Sequence, residues 1–361
     1  MPRVPSRRRR ALALVSSFTS PLLPDDYLDL VNPLWSTREL RGRIVRVQRE
    51  CASTVTLWIK PGWRWAGHLP GQYLRVGVEV DGVLHWRAYS LTSAPDRDDG
   101  LIAITPKLVL GGAVSPYLCQ RAQPGTIVRL GGVEGAFVLP DPPPRKLLMI
   151  SAGSGITPIA SMLRALARNR AGGDVHHLHS SRTREEVVFG AELRALAPRK
   201  LDGYRLHERI TGEQGRIAPA QLDGLCPDWR ERETFACGPA DMLADLERHW
   251  QAHGEAQKLH VERFQPPTTF GEAAGGCGGS VRFLASGIDA SADRPLPILQ
   301  IGEQAGARLP HGCRMGICHS CVGRLHAGRV RDLRTGAVHG EPGQMLRTCV
   351  NAPEGAIEIE L

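Results

Sequence analysis

The sequence lacks any run of about 20 consecutive apolar residues, which is the length that a transmembrane helix needs. No membrane-spanning segment is therefore predicted in the 361 residues. A recognisable nucleic-acid-binding motif is absent as well, although the formal net charge is +8. Five of the positive charges, Arg3 and Arg7 to Arg10, lie at the extreme N-terminus, so the excess is partly a property of that tail. Nucleic acid is not an expected partner.

The tail begins like a secretory signal, with arginines followed by the apolar letters ALALVSSF. Its apolar run is short, however, and no A-x-A-like cleavage site follows. We interpret residues 1–20 as a disordered leader, or as an extension that results from a wrongly assigned start codon. The functional alternative is a peripheral contact between the arginines and an anionic membrane surface. The protein is accordingly expected in the cytoplasm, with a position at the inner face of the membrane as the alternative.

A disulfide framework is also absent, because the 9 cysteines are odd in number and scattered, as is typical of a reduced compartment. Four of them are set apart by spacing: Cys313, Cys318 and Cys321 follow the pattern C-x4-C-x2-C, and Cys349 comes after 27 further residues. This is the ligand spacing of a plant-type [2Fe–2S] cluster, whereas a structural zinc site usually pairs two C-x2–4-C knuckles. We predict these four thiolates as cluster ligands, with Gly316 leaving room beside them.

Turn signals and hydrophobic patterns divide the chain into five parts. After a leader with one short helix (1–38), short alternating segments predict an antiparallel β-barrel of about six strands at 39–141, and GAFVLP (135–140) is counted among its strands. Apolar runs alternating with helical patterns then predict a parallel α/β domain at 145–264, in which REEVVFGAELRALAP (184–198) is a helix. A Gly- and Pro-rich linker at 265–279, expected to be flexible, precedes the cysteine-bearing module at 280–361.

Two motifs in the predicted barrel suit a flavin. The first, Arg87-Ala88-Tyr89-Ser90, ends a strand and supplies a cation, a flat ring and a hydrogen-bond donor. The second, Gly111-Gly112-Ala113-Val114-Ser115, opens a helix whose first amides would bind phosphate and whose N-cap is predicted at Ser115. Thr105 and Lys107, between the two motifs, are added to the candidate binding residues. A solvent-facing strand and an ordinary glycine turn are the alternatives.

Two turns in the α/β domain suit a pyridine nucleotide. Gly153-Ser154-Gly155-Ile156-Thr157-Pro158 follows the strand KLLMISA and opens a helix, which is where a pyrophosphate docks. The third glycine of the full fingerprint is replaced by Pro158, and proline is compatible with a helix start. Cys237-Gly238-Pro239 follows the strand ETF, and Cys237 is expected to lie against the nicotinamide. A small buried thiol is the alternative.

The choice of nucleotide is predicted from the residues after the strand DVHHLHS. Ser180, Ser181, Arg182 and Arg184 offer hydroxyl and guanidinium groups that suit the 2′-phosphate of NADPH, whereas an acidic residue at the strand tip would favour NADH. NADH and a solvated helix N-terminus are the alternatives. The histidines that alternate along this strand are interpreted as buried or exposed strand residues rather than metal ligands. They are His176, His177 and His179.

The order R-x-Y-S, G-x-x-S, G-x-G-x-x-P and C-G-P resembles the ferredoxin–NADP⁺ reductase superfamily, and the C-terminal module resembles a plant-type ferredoxin of the α+β β-grasp class. The resemblance spans roughly residues 39–361. It implies FAD rather than FMN, which some reductases of this domain order use. It implies that Arg87, Tyr89 and Ser90 meet the flavin and that Gly112 to Ser115 hold its pyrophosphate. Gly153 to Pro158 and Cys237 to Pro239 would hold the nucleotide, with Ser90 and Cys237 nearest the chemistry.

The domain order also resembles reductases that feed oxygenases and desaturases. The leader LVNPLWSTREL resembles most the actinobacterial reductases that partner membrane acyl-CoA desaturases. The resemblance implies electron flow from NADPH through FAD and the cluster to a separate di-iron desaturase or oxygenase. Ring-hydroxylating and P450-type oxygenases are the alternative acceptors, and a redox-sensing regulatory module is the alternative function. No haem signature, E-x-x-H pair or Rieske motif offers a terminal site within the chain.

Overall fold

The computed structural model describes residues 24–169, 173–199, 201, 203–264, 278–312, 314–316 and 319–361. The arginine-rich leader and most of the predicted linker lie outside these ranges, as do Cys313 and Cys318. Within the described ranges, no helix is long and apolar enough to cross a membrane. The predicted short helix is confirmed as α1 (Pro24–Val31). It gives way to a 3₁₀ turn at Pro33–Trp35, where Asn32 Oδ1 accepts the Leu34 N–H at 3.2 Å.

The predicted barrel is a six-stranded antiparallel sheet. Its strands are β1 (Leu40–Cys51), β2 (Thr54–Pro61), β3 (Tyr73–Val80), β4 (Val83–Ser90), β5 (Ile102–Ile104) and β6 (Ile127–Glu134), in the order β4-β3-β6-β1-β2-β5. A helical segment between β5 and β6 comprises α2 (Val114–Pro116) and a π-helical turn at Tyr117–Arg121. Alternating residues such as Leu57, Ile59 and Val76 fill the core, as expected for strands with one buried face.

The expectation that GAFVLP forms a strand is wrong. Residues 135–140 form no strand, and Phe137 and Leu139 are buried in the core of the following α/β domain. The Phe137 ring meets the Phe235 ring edge-on, with centroids 5.5 Å apart. Two aromatic side chains buried in this way contribute more than one additional ladder hydrogen bond would, so the segment leaves the sheet and joins the two domains.

The predicted α/β domain is a five-stranded parallel sheet in the order β11-β10-β7-β8-β9. Its strands are β7 (Lys146–Ala152), β8 (Asp174–Ser181), β9 (Tyr204–Ile210), β10 (Glu233–Cys237) and β11 (Leu259–Glu262). Its helices are α3 (Ile156–Asn169), α4 (Gly190–Arg199), α5 (Thr211–Gln214), α6 (Leu222–Leu225) and α7 (Ala240–Ala252). The edge strand β11 was not predicted.

The helix expected to start at residue 184 begins instead at Gly190. Val187, Val188 and Phe189 are all buried, and Phe189 takes a left-handed backbone conformation with φ 61°. A continuous helix would direct three successive side chains around its circumference, so burying all three requires a turn. The burial of this apolar triplet therefore shortens the helix.

The C-terminal module lies in a second compact unit. A mixed sheet in the order β13-β12-β19-β14-β17 is joined by a smaller sheet, β16-β15-β18, and one helix packs into the core with Phe283 and Leu325. The elements are β12 (Gly279–Phe283), β13 (Ile288–Ala292), α8 (Ile298–Gln304), β14 (Val322–Ala327), β15 (Val330–Asp332), β16 (Val338–His339), β17 (Met345–Arg347), β18 (Asn351–Pro353) and β19 (Ile357–Glu360). The predicted three-part fold class is confirmed.

Candidate functional site

Strand β4 carries the first set of predicted flavin residues. Arg87, Ala88 and Tyr89 are half-buried, and Ser90 at the strand end is only 6% exposed. The Arg87 guanidinium donates to the Trp86 carbonyl at 2.8 Å. The Ser90 hydroxyl makes no hydrogen bond to any residue that the structure describes. The hydroxyl oxygen is not fully enclosed by protein, so Ser90 is suited to meet a polar group of a bound molecule.

Thr105 and Lys107 are placed differently from Ser90. The Thr105 hydroxyl is buried between two others, 3.0 Å from Thr56 Oγ1 and 3.2 Å from Thr92 Oγ1. Thr56 in turn donates to Glu50 at 2.7 Å. Thr105 therefore belongs to a hydrogen-bond chain inside the barrel, while Lys107 is exposed at its surface. Their predicted role in cofactor binding stays a prediction.

The glycine turn before α2 has one residue in the left-handed backbone region, and its helix cap is not the predicted one. Gly111 has φ 76°, and the helical segment starts at Val114 with Ala113 as its N-cap residue. Ser115 lies inside the helix, where its buried hydroxyl accepts the Val109 N–H at 3.1 Å. The assignment of Ser115 as N-cap is wrong, because its side chain closes the preceding turn instead. Gly112 and the first amides of the segment keep their predicted place at its start.

The two predicted nucleotide turns lie against each other. Gly153 has φ 52° and opens a 3₁₀ turn, Gly153–Gly155, that leads into α3. A Cβ on Gly155 would lie 2.5 Å from the Cys237 carbonyl carbon and 2.8 Å from the Gly238 nitrogen. Only a glycine allows this approach, so the sequence brings the G-x-G and C-G-P motifs together at the carboxyl ends of β7 and β10.

Thr157 and Pro158 complete the start of α3. The Thr157 hydroxyl donates to the Ser154 carbonyl at 3.0 Å, which satisfies one polar group of the turn. Pro158 is buried in the first turn of the helix, where its missing N–H costs no hydrogen bond. The helix N-terminus therefore faces the turn with its remaining amides, as pyrophosphate binding requires.

The segment after β4 is tied to α3, and both lie in one compact unit that includes Tyr89–Gly238. The Ser93 carbonyl accepts the Ser161 hydroxyl at 2.9 Å, and the Thr92 carbonyl accepts the Arg164 guanidinium at 2.5 Å. Arg164 also forms a bidentate pair with Glu192, at 2.6 and 2.8 Å. A bidentate pair fixes a guanidinium in one orientation, so Arg164 holds the strand that carries Ser90 against the helix that begins at the G-x-G turn.

Cys237 and Glu262 end adjacent strands, in register with each other. Burial raises the pKa of the Cys237 thiol well above its usual range, and the nearby Glu262 adds to the effect, so the group stays a thiol at neutral pH. Burial also raises the pKa of Glu262 to about 7. A carboxyl group poised near neutrality beside a predicted nicotinamide residue is a functional-site candidate that the sequence analysis missed. The only sign of Glu262 in the sequence was the HVE stretch, which belongs to the four-residue edge strand β11.

The predicted 2′-phosphate residues gather at the tips of β8 and β9. Ser181 is buried, with its hydroxyl 3.2 Å from His179 Nε2, whereas Arg182 and Arg184 are exposed. Arg184 pairs with Glu213 at 3.1 Å. Arg209, opposite Ser180 in the strand register, has a buried Nε without a hydrogen-bond partner in the described part of the chain. This orphaned donor is a second candidate that the sequence analysis missed.

Two of the four predicted cluster cysteines are described. The Cys321 and Cys349 side chains are buried in the core of the C-terminal module, and the Gly316 N–H donates to Cys349 Sγ at 3.1 Å. Arg347 donates to the Gly316 carbonyl at 2.8 Å. Thr348 donates its N–H and its hydroxyl to the Cys321 carbonyl, at 3.0 and 2.9 Å. Among the described residues no group of three or more His, Cys, Asp or Glu side chains forms a metal site.

Comparisons with known proteins identify the domains in which these residues lie. Residues 55–139 match an oxidoreductase FAD-binding domain, residues 149–248 an oxidoreductase NAD-binding domain, and residues 284–354 a 2Fe-2S iron-sulfur cluster binding domain. The "NADPH oxidoreductase" of Mycobacterium tuberculosis is 49% identical over 96% of this chain and 91% of its own length. The chain belongs to the ferredoxin–NADP⁺ reductase superfamily.

Two further proteins are similar to this chain over most of its length. The ferredoxin reductase component of 3-ketosteroid-9-alpha-monooxygenase from M. tuberculosis is 33% identical over 73% of this chain and 76% of its own length. The crystal structure of phthalate dioxygenase reductase matches with a TM-score of 0.55 at 20% identity, over 89% of this chain and 97% of that one, which shows a shared fold. The protein is therefore an NAD(P)H-dependent oxidoreductase with FAD-binding, NAD(P)-binding and [2Fe–2S] domains.

The described residues fit these three groups. The unpartnered Ser90 hydroxyl and the amides at the start of α2 suit a flavin. The open turn at Gly153 and the orphaned Nε of Arg209 suit a phosphorylated nucleotide. A thiol that already accepts a backbone N–H, as Cys349 does, suits a thiolate cluster ligand, because such bonds stabilise negative charge on sulfur.

Proposed function

We propose that the protein is the reductase component of an oxygenase-type system, passing electrons from NADPH through FAD and the [2Fe–2S] cluster to a separate acceptor protein. The observation that carries the proposal is the close approach of the G-x-G and C-G-P turns at Gly155, held to the flavin strand through Arg164. This geometry supports a nicotinamide positioned beside a flavin within one unit. FAD, when bound, accepts two electrons as hydride and releases them singly.

The chain's own residues would bind and orient rather than perform acid–base chemistry. Ser90 would donate to the flavin ring, Arg87 and Tyr89 would flank it, and the amides from Gly112 onward would hold the pyrophosphate. On the nucleotide side, Gly153 to Pro158 would hold the pyrophosphate of NADPH, and Cys237 would pack against the nicotinamide as a neutral thiol. Pre-organised contact between the two rings is the main catalytic contribution that this arrangement supports.

NADPH is proposed over NADH on the basis of charge at the β8 and β9 tips. Arg182, Arg184 and Arg209 lie there, and a dianionic 2′-phosphate would compete with Glu213 for Arg184. In a steady-state assay with ferricyanide as acceptor, kcat/KM should be clearly higher for NADPH than for NADH. The Arg182→Ala variant should lower the NADPH value and leave the NADH value unchanged. Equal values for the wild-type protein would refute the assignment of NADPH.

The class of protein that accepts the electrons is proposed from the similar proteins and from the sequence that precedes the barrel. The 3-ketosteroid monooxygenase component points to an oxygenase. The sequence before the barrel supports the narrower proposal of a membrane acyl-CoA desaturase, reached from the cytoplasmic side. Reconstitution decides between them: purified protein and NADPH are added to membranes containing an acyl-CoA desaturase, and in parallel to a purified ring-hydroxylating oxygenase. Unsaturated acyl product is expected, and hydroxylation without desaturation would overturn the narrower proposal.

A further inference from the structure

The N-terminal helix α1 presents apolar side chains to solvent. Leu30 is 81% exposed and Val31 72%, and Tyr27 is exposed as well. Residues three and four positions apart lie on one side of a helix, so these three side chains form a single face. A helix on the surface of a globular domain normally turns such a face toward the core. An apolar face that stays exposed marks a surface that meets another molecule.

Two tryptophans extend this face beyond the helix. Trp35 in the 3₁₀ turn and Trp63 in the loop after β2 are both exposed. The Trp63 indole N–H lies 3.1 Å from the Trp35 carbonyl oxygen and 3.2 Å from that of Ser36, so the loop and the turn are in contact. The leader patch is our name for the five exposed side chains, which are Tyr27, Leu30, Val31, Trp35 and Trp63.

Hydrogen bonds hold the leader patch on the barrel. The Arg43 guanidinium of β1 donates to Asn32 Oδ1 at 3.1 Å, at the end of α1. The Arg64 guanidinium donates to the Thr37 carbonyl at 2.6 Å, just after the 3₁₀ turn. The exposed face is therefore fixed before anything binds to it. A preformed surface loses little conformational entropy on binding, which favours association.

The charge around the leader patch is positive. Arg38 and Arg64 are exposed beside it. Residues 1–38 contain six arginines and three aspartates, which gives this part of the chain a formal net charge of +3. Each arginine close to an anionic bilayer strengthens binding by about fivefold. The charge therefore favours an anionic partner.

The kinds of side chain in the leader patch favour a lipid surface among anionic partners. Tyrosine and tryptophan rings are amphipathic and settle at the level of the lipid headgroups, while aliphatic side chains enter the boundary of the acyl chains. Arginines beside them meet the lipid phosphates. We propose that the leader patch docks the protein on the surface of a bilayer that contains anionic lipids. The inference deepens the proposed function and rests on it in one respect, because a membrane acyl-CoA desaturase would be met at this surface.

Vesicle flotation of the holoprotein tests the docking without any acceptor protein. The protein should float with vesicles of phosphatidylcholine and phosphatidylglycerol, and should not float with vesicles of phosphatidylcholine alone. Raising the salt from about 0.1 M to about 1 M should weaken binding, because the Debye length falls from about 10 Å to about 3 Å. A wild-type protein that floats with neither kind of vesicle would overturn the proposal.

The double variant Leu30→Ser, Val31→Ser tests the apolar part of the leader patch. It should lower the partition coefficient by about 10-fold or more, since two apolar side chains no longer enter the lipid. Val83→Ser is the matched control, because Val83 is 56% exposed in the same barrel but lies outside the patch. Both variants should keep the wild-type rate of ferricyanide reduction by NADPH. Unchanged vesicle binding by the double variant would overturn the proposal.

Two further measurements locate the contact. When Arg7 to Arg10 are all replaced by glutamine, the double variant should still weaken the binding that remains. If it did not, the contact would belong to the tail and the role of the leader patch would be wrong. With dibrominated phosphatidylcholine in the vesicles, tryptophan fluorescence should fall on binding, and Trp35→Phe should reduce this quenching. Unchanged quenching in Trp35→Phe would place another surface against the lipid.

The outcomes also separate this inference from the proposed function. A dimer in sedimentation velocity that the double variant abolishes would make the leader patch a contact between two copies and would overturn docking on lipid. Vesicle binding through the patch without acyl-CoA desaturation in the reconstituted system would leave the docking surface in place and remove the proposed acceptor. Desaturation supported equally by the wild-type protein and the double variant would leave the acceptor in place and remove the docking surface.

Discussion

The contact between Gly155 and the C-G-P turn predicts a large effect for Gly155→Ala. The new methyl group would overlap the Cys237 carbonyl oxygen and lie 2.5 Å from the carbonyl carbon, whereas ordinary contacts start at 3.4 Å. The two turns must therefore separate by about 1 Å or more. Cys237 ends a strand paired on both sides, with Ser151 and with Glu262, so it cannot move away freely.

The expected cost of the substitution has two parts. Inserting one methyl group into a tight contact destabilises a fold by about 1–3 kcal/mol. A displacement of about 1 Å at the nucleotide turns should also slow flavin reduction by NADPH by about 100-fold, because hydride transfer depends on close alignment of the two rings. Flavin and cluster content should be unchanged, since Gly155 lies in neither binding segment.

Stopped-flow absorbance measures this directly, with the flavin band followed after mixing with NADPH. Gly224→Ala is the matched control, because a Cβ on Gly224 would meet nothing within 4 Å and its residue lies in α6 of the same domain. The control should be as stable as the wild-type protein or slightly more so, since alanine favours a helix over glycine. A Gly155→Ala protein with wild-type flavin reduction would refute the view that the two turns form one nucleotide site.

Three further predictions concern other parts of the chain. Acid should destabilise the protein through His177 and His179, because the pKa values of both are lowered in the folded state. The free energy of unfolding should fall as the pH drops below about 6.5, by about 3 kcal/mol at pH 4 for His179 alone, and urea unfolding of His179→Gln should depend less on pH. Glu262 should have the opposite effect on stability: because its pKa is raised in the folded state, the free energy of unfolding should fall as the pH rises from about 4.5 to about 7. Glu262→Gln should therefore be more stable than the wild-type protein at pH 8, by up to about 3 kcal/mol, and an unchanged urea midpoint would contradict this. Arg347→Leu should lower the reduction potential of the cluster, because the variant loses a positive charge and the hydrogen bond to the Gly316 carbonyl. The potential is measured in a spectroscopic redox titration, and an unchanged value would show that Arg347 has no electronic role.

The turns that carry chemistry could be predicted because their residues are dictated by local backbone geometry. Gly153 needs a positive φ, Gly155 needs a close approach, and Pro158 needs the first turn of a helix, and the structure places each of them accordingly. The strands of the antiparallel sheet, and those of the parallel sheet except the edge strand β11, followed from patterns of two-residue alternation and apolar runs. The fold class was therefore available from the sequence.

What could not be predicted depends on contacts between distant segments. Phe137 leaves the barrel because Phe235 offers a partner in another domain, about 100 residues away in sequence. Ser115 turns inward to Val109 instead of capping its helix. The spacing of the histidines in β8 was visible, but the Ser151 hydroxyl that joins His177 to His179 comes from a neighbouring strand. Spacing along the chain does not reveal which residues face each other across a sheet.

The central claim is the order of electron flow, and rapid mixing of the holoprotein with NADPH tests it most directly. The flavin band should bleach first and the cluster bands afterwards, at a rate independent of protein concentration. In Cys349→Ser the flavin should still be bleached by NADPH, while reduction of a one-electron acceptor protein is lost. Bleaching of the flavin with an untouched cluster in the wild-type protein, or loss of flavin reduction in a folded Cys349→Ser protein, would contradict the account.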